Sequence, residues 1–250
     1  MRVIQRCTIL VTVAMAGLAT VAAPAAAASA PGPLRAPTSC IRVSATIHVG
    51  RSPVGVAANR KTNTVYVTNG IDHTVSVISG RTNTVTATIP VAAPPGPGLA
   101  ANPKTNTIYV GHPDLVSVIS GRTNTVTATI PITGAPGQVA VNPKTNTVYV
   151  TGQSVFTVSV ISGRTNTVTA TIPAGLLPFG VAVNPKTNTI YVSNALDNTV
   201  SVISGRTNTV TATIPVGSFP GGVAVNRKTN TAYVTNQASN TVSVLTSCRR

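Results

Sequence analysis

The chain has 250 residues, 18 Lys+Arg against 3 Asp+Glu, a formal net charge of +15, no Trp and 3% aromatic residues. Apolar residues reach 42%, too many for a charge-rich disordered chain. With no Glu, three Asp and three His, the composition argues against most hydrolases and against calcium modules, which need clustered carboxylates.

Residues 1–28 read as a secretory signal peptide. Arg2 and Arg6 form a basic start, residues 7–23 an uncharged apolar run, and Ala26-Ala27-Ala28 fits a cleavage site, as does Ala28-Ser29-Ala30. The rival reading is a retained membrane anchor; the short run and the Ala/Pro stretch behind it favour a signal. Cys7 follows Gln5-Arg6 and lacks the small-residue lead of a lipid-modified cysteine. Residues 29–40 read as a flexible Pro/Ala-rich leader. Cleavage leaves Cys40 and Cys248. In an exported chain such a pair suggests one disulfide, against the alternative of free or intermolecular thiols.

From residue 41 onward the sequence repeats. Tyrosines stand at 66, 109, 149, 191 and 233, Thr-Ile pairs recur once per unit, and Ser-Gly-Arg-Thr-Asn-Thr begins at Ser79, Ser120, Ser162 and Ser204. Residues 41–248 therefore hold five units of about 42 residues, the length of a four-stranded propeller blade. The fourth unit predicts strands over Gly180–Val183, Thr189–Ser193, Thr199–Ile203 and Thr209–Ile214, short, β-branched and alternating. Asn184-Pro185-Lys186-Thr187-Asn188 and Ser204-Gly205-Arg206-Thr207-Asn208 read as the tight turns between them.

Tyr-Val-Thr-Asn at 66–69 and 233–236 and Tyr-Val-Ser-Asn at 191–194, with Val-Ala-Val-Asn-Pro-Lys-Thr-Asn-Thr around them, make residues 41–248 resemble the YVTN-repeat β-propeller family. Tyr109-Val110-Gly111-His112 and Tyr149-Val150-Thr151-Gly152 depart from the motif by lacking its Asn. The family commonly has more blades, so five units is a further departure. The fold expected is all-β, a five-bladed β-propeller of four-stranded antiparallel blades. Its ring would be closed by the N-terminal strand: Val43–Val49 aligns with an outer, fourth strand, while Thr241–Leu245 aligns with a third. In that register Cys248 replaces Arg81 and Cys40 replaces Thr82, neighbours in one hairpin turn, which favours an intrachain bridge. Each tyrosine is expected to pack between blades, with its hydroxyl at an edge.

Up-and-down blades put first and third turns on one face. First turns carry Arg60, Lys61, Lys104, Lys144, Lys186, Arg227 and Lys228; third turns carry Arg81, Arg122, Arg164 and Arg206, with Arg249 and Arg250 beside the expected bridge. Asp72, Asp114 and Asp197 fall in second turns, on the opposite face. Either the cations merely solvate turns copied with the repeat, or they form a polyanion-binding face. The binding residues of the second reading are Lys61, Arg81, Lys104, Arg122, Lys144, Arg164, Lys186, Arg206 and Lys228. Its partner would be an anionic polymer: a cell-wall polymer, nucleic acid or lipid headgroups. The basic turns lack aromatic residues, which weakens stacking on single-stranded bases.

The pairs Asp72/His73 and His112/Asp114 could suggest a weak metal site, but no recognised ligand spacing exists. No Ser or Thr sits in a nucleophile-elbow pattern with matching base and acid. No catalytic residue, metal or cofactor is therefore expected. The expected function is that of an exported, monomeric, non-catalytic binding or scaffold protein, secreted or at the cell surface. The alternatives are a hydrolase or lyase acting on a small molecule in the central channel, and a nucleic-acid-binding propeller.

Overall fold

A computed structural model describes residues 43–246. The expected signal peptide and leader, Cys40, Cys248, Arg249 and Arg250 lie outside the described residues. In chain order the strands are β1 (Pro53–Asn59), β2 (Thr64–Asn69), β3 (Thr74–Ser79), β4 (Thr84–Pro90), β5 (Leu99–Asn102), β6 (Thr107–Gly111), β7 (Leu115–Ser120), β8 (Thr125–Pro131), β9 (Pro136–Asn142), β10 (Thr147–Gly152), β11 (Thr157–Ser162), β12 (Thr167–Pro173), β13 (Pro178–Asn184), β14 (Thr189–Asn194), β15 (Thr199–Ser204), β16 (Thr209–Pro215), β17 (Pro220–Asn226), β18 (Thr231–Asn236) and β19 (Thr241–Leu245). They form four antiparallel sheets of four strands and a last sheet of three, each in sequence order, giving an all-β, propeller-like fold. A single short 3-10 turn, Gln237–Ser239, is the one helical element among the described residues.

The hairpins follow from their turn residues. Each first turn ends on an Asn in the left-handed region (Asn63, Asn106, Asn146, Asn188 and Asn230, φ 52–57°), and each third turn on another (Asn83, Asn124, Asn166 and Asn208, φ 54–56°). Asn tolerates that conformation better than any branched residue. Where the third strand pairs with the fourth, a bulge leaves a threonine between ladder partners, and its hydroxyl donates back to the third strand. Thr86 Oγ1 reaches the Val77 carbonyl at 3.2 Å, Thr127 reaches Val118 at 3.2 Å, and Thr169 reaches Val160 at 3.2 Å.

Packing runs between sheets. Four apolar clusters join successive sheets, and the second is typical: Tyr109, Val116, Val118 and Ile130 of one sheet meet Val139, Val148, Val150 and Ile161 of the next. Tyr66, Tyr109 and Tyr149 are at most 1% exposed, and their hydroxyls lie over Gly121, Gly163 and Gly205 in the third turn of the following sheet, where any Cβ would collide with them. These three tyrosines thus pack between sheets, as their recurrence implied, whereas Tyr233 of the last sheet is 40% exposed.

The Asn ending the Tyr-Val-Thr-Asn motif has a defined role. Asn69 Nδ2 donates to Thr74 Oγ1 (3.0 Å) and Ser76 Oγ (2.9 Å), and Asn194 and Asn236 do the same to their own third strands. Gly50, Gly175 and Gly217 lie against these three side chains. Where the motif has His112 or Gly152 instead, the partner glycine is gone too: Ala92 and Thr133 stand in its place. In the second sheet the buried His112 ring enters this region and contacts the Ala93 carbonyl through Nδ1 at 2.9 Å.

The expected pairing of Val43–Val49 with Thr241–Leu245 is not formed. Residues 43–49 carry no ladder, and the last sheet ends at β19. In the other sheets a four-residue turn tethers the fourth strand to the third. Here the same contact must join residues about 200 positions apart, with the full entropy of closing that loop. Consequently Val242 and Val244 are 55% and 58% exposed, and Val56 on β1 is 71% exposed. Their counterparts Val75, Val77 and Val139 are buried between sheets.

Candidate functional site

The antiparallel order places all first and third turns at one end of the sheets. Each first turn is built by its leading Asn. Asn59, Asn102, Asn142, Asn184 and Asn226 accept at Oδ1 from the backbone N–H of Lys61, Lys104, Lys144, Lys186 and Lys228, at 3.0–3.1 Å. This Asx turn sets the direction in which the lysine leaves the backbone. The same Asn then donates through Nδ2 to the left-handed Asn of the next sheet. Asn59 reaches Asn106 at 2.7 Å, Asn102 reaches Asn146 at 2.7 Å, Asn142 reaches Asn188 at 2.7 Å and Asn184 reaches Asn230 at 3.1 Å. One side chain therefore shapes its own basic turn and fixes it to its neighbour.

Third turns use serine in the corresponding role. Ser79 Oγ accepts from Arg81 N and Thr82 N at 3.3 Å each, and Ser120, Ser162 and Ser204 repeat this for Arg122, Arg164 and Arg206. All nine residues expected to bind polyanion, Lys61, Arg81, Lys104, Arg122, Lys144, Arg164, Lys186, Arg206 and Lys228, are exposed. None of them joins an ion pair among the described residues.

The carboxylates stand at the other end, and two of the three are engaged there. Asp72 accepts from Arg51 N at 2.7 Å and from Arg51 Nε at 2.5 Å. The Arg51 backbone N–H first, and its guanidinium second, hold the Asp72 carboxyl below its ordinary range. Asp197 Oδ2 accepts from Leu176 N at 2.6 Å. These acids close inter-blade loops and do not offset the basic end.

The histidines divide. His48 and His73 line one open groove of about 590 Å³ with Arg51 and Asp72, a juxtaposition that sequence spacing concealed. Nowhere among the described residues do three His, Cys, Asp or Glu side chains gather as a metal site would require. His112 is 1% exposed, and burial, the main cause, keeps its imidazole below its ordinary pKa, so the ring is neutral. Asp114, expected near it, is exposed.

Sequence reading also missed a cavity that Arg60 and Arg227 share. Both line one cavity of about 200 Å³ at the basic end, together with Ala58, Ala101, Pro103, Val141 and Pro143.

The architecture is shared with solved structures. A functionally unknown protein from Desulfotomaculum acetoxidans DSM 771 matches with a TM-score of 0.69 at 20% identity, over 79% of this chain and 70% of that one. Kuenenia stuttgartiensis hydrazine synthase matches with a TM-score of 0.51 at 16% identity, over 78% of this chain and 83% of that one. At such identities the likeness shows the fold alone. No family model matches the chain, and no curated protein matches it.

Proposed function

We propose that the chain is an exported, non-catalytic binding protein of the YVTN-repeat kind that holds an extended anionic polymer across its basic end. One observation carries this reading: nine exposed cations project from hydrogen-bonded turns at one end of the sheets, unpaired, while Asp72 and Asp197 are tied down at the other. Solubility alone asks for mixed charge, not for one sign on one face. The bonds between successive first turns hold the lysines at a fixed repeat, which suits a polymer with regularly spaced charge.

In this reading the fold is a closed five-bladed ring, and four observations support closure. Residues 49–52 already adopt the inter-blade geometry found after an outer strand. Ser52 shares its φ of 55° with Leu177 and Phe219 at 53°, and Gly70 N donates to the Ser52 carbonyl as Ala195 N does to Leu177. Ser44 stands where the bulge threonine stands in other blades and brings the same hydroxyl. Asn226 Nδ2 and Asn63 Oδ1 are the unmatched halves of the link that joins every other pair of blades. The exposed valines at the two ends are counterparts of valines buried elsewhere. A Cys40–Cys248 bridge would replace the missing turn.

Retention of the mature protein on heparin, on duplex DNA and on anionic vesicles tests the reading and ranks the polymer classes. Binding is expected to fall steeply with added salt, and to weaken when Lys104, Lys144 and Lys186 are together replaced by Gln. Retention on none of the three at low salt overturns the reading.

A further inference from the structure

Arg60 and Arg227 are the two places where the first turn departs from its repeat. The other three units place Pro103, Pro143 and Pro185 there. Duplication of a blade copies a lysine into every turn, but it does not account for arginines in the first and last units alone. The fold brings these two departures together. Both guanidinium-bearing residues line the same cavity of about 200 Å³, although they lie in the first and fifth sheets. Neither makes a side-chain hydrogen bond or ion pair among the described residues.

We infer that this cavity is a defined anion site for one tetrahedral dianion, a phosphate or sulfate group, held between Arg60 and Arg227. Four features choose this ligand class. Two guanidinium groups supply two positive charges and planar forks that match tetrahedral oxyanions through paired hydrogen bonds. The remaining wall is Ala58, Ala101 and Val141 with the Pro103 and Pro143 rings. These are apolar groups whose low dielectric strengthens the attraction for an anion. No carboxylate lines the cavity to compete. Its volume lies below the roughly 300 Å³ at which pockets for organic ligands begin, so it suits one small group, not a cofactor. The inference rests on the polyanion reading only for the source of the group, which would be a polymer's phosphate or sulfate; a free anion would occupy the same site.

The test is calorimetric titration of inorganic phosphate, and separately of sulfate, into the mature chain, alongside titration of duplex DNA. One anion per chain is expected, weakened at least about tenfold by either R60Q or R227Q, a loss of about 1.4 kcal/mol at that factor. R60K and R227K should recover only part of the affinity, because an ammonium lacks the planar fork. The Lys104, Lys144 and Lys186 triple Gln variant should hold phosphate within about twofold of the parent while binding DNA more weakly. No saturable binding of either anion, several equal sites per chain, or unchanged affinity in the R60Q/R227Q double variant overturns the site. Anion binding without any polymer binding keeps the site and sinks the polymer reading; polymer binding without a saturable anion site does the reverse. Equal melting temperatures for parent and variants are expected at these exposed positions. A phosphate affinity lost together with the fold would show that the arginines are structural and overturn the assignment.

Discussion

Asn142 accepts from Lys144 N and donates to Asn188, at 3.0 and 2.7 Å, while buried at 0% exposure. Replacing it with Ala leaves the Asn188 acceptor and the Lys144 N–H without partners, a loss of about 1–3 kcal/mol. For a chain of this size that corresponds to a fall in melting temperature of a few degrees, about 2–4 °C per kcal/mol. Thermal denaturation should show it. Asn226→Ala should cost clearly less if the ring stays open, since its Nδ2 then has no neighbour to lose. His112 adds a pH dependence. Its folded pKa is depressed by burial, so its contribution to stability is complete above the unfolded value near 6.5 and is lost as pH falls through the folded value. The melting temperature is expected to drop between pH 7 and pH 5, with a shallower drop in His112→Gln. Equal slopes would contradict the buried, neutral imidazole.

At the scale of elements, strands and turns were legible because they obey local rules. Period-two apolar patterning, Asn at left-handed positions and Ser-Gly-Arg-Thr-Asn turns each act within a few residues. Two features were not local and stayed hidden. The Asn69-to-His112 exchange is matched by Gly50-to-Ala92, a compensation between a strand end and the loop before its sheet. That Arg60 and Arg227 line one cavity depends on how far the three intervening sheets curve. An outer strand for the last sheet was expected from the pattern of Val43–Val49, but those residues form no ladder, since pattern does not supply the turn that tethers such a strand elsewhere. Val56→Asp on β1 and Val244→Asp on β19 report on this directly. In a closed ring both carboxylates would enter an apolar blade interface and lower stability by several kcal/mol. In an open arc both changes would be surface substitutions, within about 0.5 kcal/mol. Urea denaturation of the two variants separates the cases.

For the whole molecule, closure and charge belong together. A closed ring would bring Lys228 beside Lys61 and make the basic end continuous. Non-reducing peptide mapping of exported protein should recover Cys40 joined to Cys248; two free thiols would count against closure. In the chain-entropy picture such a bridge stabilises by up to about 5 kcal/mol, so Cys40→Ser should lower the melting temperature while leaving the β-rich circular dichroism spectrum intact.

The binding reading makes a quantitative demand on the intact protein. On duplex DNA each phosphate contact contributes about 0.9 to the slope of log affinity against log salt. The most direct measurement is that slope for the mature chain and for the variant with Lys104, Lys144 and Lys186 replaced by Gln. The account expects a steep slope for the parent and a slope smaller by up to about 2.7 for the variant, with the melting temperature unchanged. A salt-independent affinity, or identical slopes for the two proteins, would contradict the claim that these turns bind polyanion.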